Sequence, residues 1–163
     1  MSESPDCWDV LADKMIGWMD PANAPSDQSI IAAKYHSVAQ YLRDVLSASH
    51  ERQVAIRKLL ESYTWAMRIG GSNCLSGQTY HNQLSSIQWW LNKPQGERAW
   101  VIANHFWWID SLMTTTFNTY GPVTFERFQA SQLLLESRDA AVRACLDMLA
   151  EQQKQELRAV SQS

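Results

Sequence analysis

The stretch IIAAKYHSVAQYLRDVL, residues 30–46, decides the fold class. Ile31, Tyr35, Val38, Leu42 and Val45 recur at i, i+4, i+7, i+11 and i+14, the spacing of a buried stripe on one helical face. Ile30, Tyr41 and Leu46 widen that stripe. Ser47 to His50 reads as a turn. A second helical run then extends to about Ile69, with Ile56, Leu60, Tyr63 and Met67 as its stripe. So short a connection makes the two helices antiparallel neighbours. Gly70-Gly71 supplies a C-cap.

Working outward, a first helix is predicted from Pro5 or Asp6 to Met19. Asp6 caps it, and Trp8, Leu11 or Ala12, Met15 and Met19 form its face. Asp20-Pro21 stops it. Residues 70–78 are a Gly/Ser loop. A fourth helix is predicted around Tyr80, Leu84, Ile87 and Leu91, ending before Pro94. A fifth runs from Gln95 or Gly96 to Thr119 and stops at Gly121-Pro122. The last helical region opens at Pro122 or Thr124 and reaches about Val160. Phe128, Leu135, Val142 and Leu149 repeat in it every seventh residue, and a break is expected near Ser137. No run alternates with period two, so no sheet is expected. The reading is all-α: one domain over residues 1–163, an irregular bundle of six to seven helices, with a polar tail at 152–163 that frays.

Composition narrows the function classes. The 163 residues carry a net charge of −3, with 45% hydrophobic residues and eight tryptophans. Residues 1–30 hold six acids and one base, whereas residues 31–70 hold six bases and three acids. That asymmetry suggests internal charge complementarity. A pI near 5.8 speaks against a nucleic-acid footprint, which wants a strongly basic patch. Arg52, Arg57, Lys58 and Arg68 read as a solvated face. No apolar run approaches the length of a bilayer span, so no membrane partner is expected. The odd, scattered Cys7, Cys74 and Cys145 suggest free thiols in a reducing compartment. The expected location is cytoplasmic.

Charge is scarce in two places. Ile69 to Asn92 contains no Asp, Glu, Lys or Arg, and from Ala99 to Phe125 the one such residue is Asp110. On a helical wheel, Ile102, Phe106, Ile109, Met113 and Phe117 lie together as a core face. Trp100, Asn104, Trp107 and Ser111 form a second stripe on nearly the opposite side. Trp89 also points away from the stripe of its own helix. Either this helix is central and buried on both faces, or the second stripe meets a partner. Tryptophan enrichment and charge depletion both mark interface centres.

Cys74, His81, His105 and Asp110 could line a pocket for catalysis or a small ligand, but no local signature surrounds the cysteine. The four histidines show none of the helical spacings that carry metal sites, and no cofactor is expected. Asp110, an isolated acid in an aromatic helix, should find an arginine, Thr114 or a helix N-terminus.

The sequence reading is therefore a small cytoplasmic protein-binding module. It would occlude, inhibit or chaperone another protein, with immunity proteins, antitoxins, inhibitors and effector chaperones as types. Trp89, Trp100, Asn104, Trp107 and Ser111 form the predicted contact set. The partner could also be a second copy of the chain. The alternative reading is a helical enzyme or small-ligand binder built around Cys74, His81, His105 and Asp110.

Overall fold

Helix α1 (Pro5–Trp18) stops where Asp20 turns extended before Pro21. The Asp20 carboxylate accepts from the Ala22 amide at 2.9 Å and caps a short 3-10 turn, Pro21–Asn23. Helix α2 spans Ser29–Val45 and α3 spans His50–Ile69. Ser49 starts α3 by accepting from the Arg52 amide at 3.1 Å, the usual work of an N-cap hydroxyl. Helix α4 (Glu97–Phe117) and helix α5 (Phe125–Ser161) complete the set, and Thr124 caps α5 by accepting from the Arg127 amide. The computed structural model describes residues 5–25, 28–69, 79–81, 96–117 and 122–162.

The class is all-α, with five α-helices among the described residues rather than six or seven. Two features differ from expectation. Helix α5 is continuous for 37 residues, with no break at Ser137. That serine is buried, and its hydroxyl donates to the Ala55 carbonyl at 2.6 Å, so the position is a packing contact. Thr79–His81 form a short strand, β1, where the fourth helix was predicted to begin. It pairs antiparallel with β2, Pro122–Thr124, in the register Thr79 with Thr124 and His81 with Pro122. The remainder of the predicted fourth helix, the Gly/Ser loop and the Gly70-Gly71 cap lie outside the described residues.

The principal packing is α3 against α5. Its seam is made of small residues: Ala55, Ser62 and Ala66 on α3 face Ala130, Ser137 and Ala141 on α5, all buried. Ser62 Oγ donates to the Ala130 carbonyl at 2.6 Å, and Ser137 Oγ donates to the Ala55 carbonyl at 2.6 Å. The two bonds are reciprocal, seven residues apart on each helix, as an antiparallel pair requires. A hydroxyl reaching a facing backbone carbonyl needs helix axes near the lower end of the about 8–10 Å range. Only small side chains permit that. Ser62 commits its single hydrogen to Ala130, so Tyr35 of α2 donates to Ser62 Oγ, at 2.8 Å. One buried chain of hydrogen bonds thus ties α2 to α3 and α5.

The expected charge complementarity between the first and later helices is present. Asp13 pairs with Arg43 at 3.0 Å, and Asp9 pairs with both Arg43 and Arg52. Arg52 is not on a solvated face, because it is 2% exposed. Its guanidinium donates to the carbonyls of Leu46 and Arg43 at the C-terminal end of α2 as well as to Asp9. It therefore satisfies orphan carbonyls at one helix end and a carboxylate from another helix. Lys58 pairs with Glu136, and Arg68 lies over the Trp65 ring at 4.7 Å. Buried residues from all five helices form one hydrophobic cluster.

Candidate protein-binding face

Helix α4 carries the candidate face, and its orientation is set by Asp110. The Asp110 carboxylate accepts from Arg127 Nη2 at 2.9 Å and from Ser131 Oγ at 3.2 Å. Arg127 Nη2 also lies 3.0 Å from Thr114 Oγ1, which itself donates to the Asp110 carbonyl. The acid has found the expected arginine, with Ser131 as its second partner, while Thr114 bonds to the Asp110 backbone carbonyl and to Arg127 rather than to the carboxylate. This network turns the Asp110 side of α4 toward α5. Ala99 and Ala103, on that same side, are buried with it. Ile102, Phe106, Ile109 and Met113 are buried as predicted, whereas the Phe117 side chain lies outside the described residues.

The buried arc is therefore shifted round toward Asp110, and the outward face shifts with it. Trp108 is 52% exposed and Val101 is 42% exposed. They stand seven residues apart on one line with Thr115, which is also exposed. Trp100, Asn104, Trp107 and Ser111 lie on the flank of that line, about 70° round the helix, and all four are half-buried. Trp107 packs partly on the core and meets the Trp108 ring edge-on, with centroids 5.0 Å apart. Trp89 lies outside the described residues. Val101 and Trp108 were missed because the wheel was centred on large apolar residues alone. The signal that could have found them was Asp110 itself: a lone acid that needs a buried partner pulls Ala99, Ala103 and its own side inward.

None of the six described tryptophans is fully buried; Trp108 and Trp18, which is 63% exposed, are the outermost. Because Trp normally contributes a large hydrophobic surface to cores, the placement of all six described tryptophans at or near the surface departs from that habit.

The alternative set does not come together. Cys74 lies outside the described residues, and of His81 only its backbone place in β1 is described. His105 stacks on Tyr41 of α2 with ring centroids 4.1 Å apart. Burial, and then the charge of Lys34, lower its pKa from the ordinary histidine value. Asp110 faces α5 on the other side of α4, committed to Arg127 and Ser131. Among the described residues no group of three or more His, Cys, Asp or Glu is arranged to hold a metal ion. Nor is any helix there long and apolar enough to cross a membrane. Cys145 is a buried free thiol.

Comparison with protein-family models, with curated proteins and with solved structures finds no match to this chain.

Proposed function

We propose that this chain is a small cytoplasmic binding module that captures another protein and occludes or chaperones it through the outward side of α4. The observation that carries the reading is the exposure of Trp108 and Val101 on one line of a helix whose sole charge after Arg98 is the buried Asp110. A solvated helix face normally carries charges. From Val101 onward this face is charge-free and presents an indole, the composition of an interface centre. Trp108 is the anchor and Val101 extends the apolar contact. Asn104 and Ser111, on the flank with Trp100 and Trp107, supply hydrogen bonds that set register. Trp89, from the other uncharged stretch, belongs to the same contact set.

Trp108→Ala is the direct test, since it removes an exposed ring and leaves the core intact. Binding of the partner should weaken by at least tenfold, with the unfolding midpoint unchanged. Trp107→Ala is expected to lower both, because part of its ring packs on the core. Full partner affinity in Trp108→Ala would sink the proposal. Light scattering on the wild type distinguishes an outside partner from a second copy of the chain.

A further inference from the structure

A cleft of about 530 Å³ lies where α2, α4 and α5 meet. Its walls are Tyr41, Leu46, Ile102 and Met148, and the buried Cys145 thiol lines it as well. Val45 and Val101, both exposed, stand at its rim. The volume falls within the roughly 300–1,000 Å³ of small-molecule sites, which are mostly apolar with a few placed polar groups. Here the charged groups are Arg98 and Glu97, in the first turn of α4. Arg98 is exposed and forms no ion pair with any described residue. The sequence offers it no acid at all between Ile69 and Gly96. Arg98 lines the same cleft as the buried Cys145 thiol, so its charge stands at the border of the apolar walls.

From these residues we infer that the cleft binds a small apolar molecule bearing a single carboxylate, of the fatty-acid class. Its hydrocarbon would lie against Ile102, Leu46 and Met148, and its carboxylate against Arg98. A neutral ligand would leave the arginine unused. Arginine is suited to the task because its planar fork matches a carboxylate and it keeps its charge. Glu97 opposes an anion, so it limits affinity rather than creating it. The site shares Val101 with the proposed protein-binding face but stands independently of that reading.

The test uses the full chain and three probes of equal chain length, dodecanoate, dodecanol and dodecylamine, by calorimetry. Dodecanoate should bind one per chain and more tightly than the other two. Arg98→Gln should weaken dodecanoate by about tenfold or more, the loss expected of a charge-assisted contact, and leave dodecanol unchanged. Glu97→Gln should tighten dodecanoate. Both side chains are exposed, so neither change threatens the fold. In methyl-labelled protein, dodecanoate should move the Met148 resonance. Trp108→Ala should leave all of these results intact, which separates this site from the protein-binding face. No dodecanoate binding, equal binding by Arg98→Gln, or a stationary Met148 signal would each overturn the inference.

Discussion

Arg127 and Asp110 are 0% and 6% exposed at the side chain, and each is the other's charge partner. A buried pair adds little net stability, but breaking it from one side leaves an uncompensated charge. Arg127→Met alone should therefore destabilise by about 3–5 kcal/mol, measured by denaturant unfolding. The double variant Arg127→Met with Asp110→Leu should recover most of that loss. The pH dependence is equally local. The hydrogen bond from Arg52, helped by the charges of Arg52 and Arg43, holds the Asp9 carboxyl below its ordinary value despite some desolvation. A carboxyl depressed in the folded state stabilises fully above its unfolded pKa of about 3.9, and the contribution fades as pH falls through the folded value. His105 acts in a higher window. Its folded pKa lies below the unfolded value of about 6.5, so the unfolded chain binds the extra proton and stability declines as pH falls from there. Unfolding followed from pH 7 to pH 3 should show both declines. His105→Gln should flatten the upper one, and Asp9→Asn the lower one.

At the scale of elements, the α3–α5 seam is the most sensitive joint. Ser62→Leu inserts bulk into a buried seam of small residues and breaks the Ser62 bond to Ala130. It should cost at least the about 1–3 kcal/mol typical of overpacking. Ser137→Ala, which loses only its bond to Ala55, should cost about 1 kcal/mol. The other end of α5 behaves differently. From Ala150 to Gln162 every residue is exposed, including Leu157 and Val160. Helix-forming residues such as Glu156, Leu157 and Arg158 favour the conformation, but an isolated helix of this length is marginal in water. Amides beyond Gln152 should exchange much faster than those from Ala130 to Cys145. Truncation after Gln152 should change stability by less than about 0.5 kcal/mol. Loss of the cooperative transition on truncation would contradict this picture.

Element boundaries were legible because specific residues write them: Asp20-Pro21, the Ser47–His50 turn, and Thr124 opening α5. Faces were less so. On α2 the stripe was right for Ile31, Tyr35, Val38 and Leu42, because large side chains mark it. On α5 the heptad Phe128, Leu135, Val142 and Leu149 is only half-buried, and the buried line runs through Ala130, Leu134, Ser137 and Ala141. Hydrophobic periodicity gives little weight to Ala and Ser, although close backbone packing selects them. The same effect placed the centre of the α4 face on Trp100 and Trp107 rather than on Trp108 and Val101. The cleft was not legible at all. Tyr41, Arg98 and Cys145 belong to three helices, and their meeting depends on relative register, which no single-helix pattern contains.

For the whole molecule, the central claim is that the outward side of α4 is a surface for another protein. It is tested most directly by photo-crosslinking in the native cell, with benzoylphenylalanine in place of Trp108. The same probe in place of Arg57, exposed on α3, serves as the control. One discrete adduct of a single protein is expected from position 108 and none from position 57. No adduct at 108, or the same adducts from both positions, would contradict that claim.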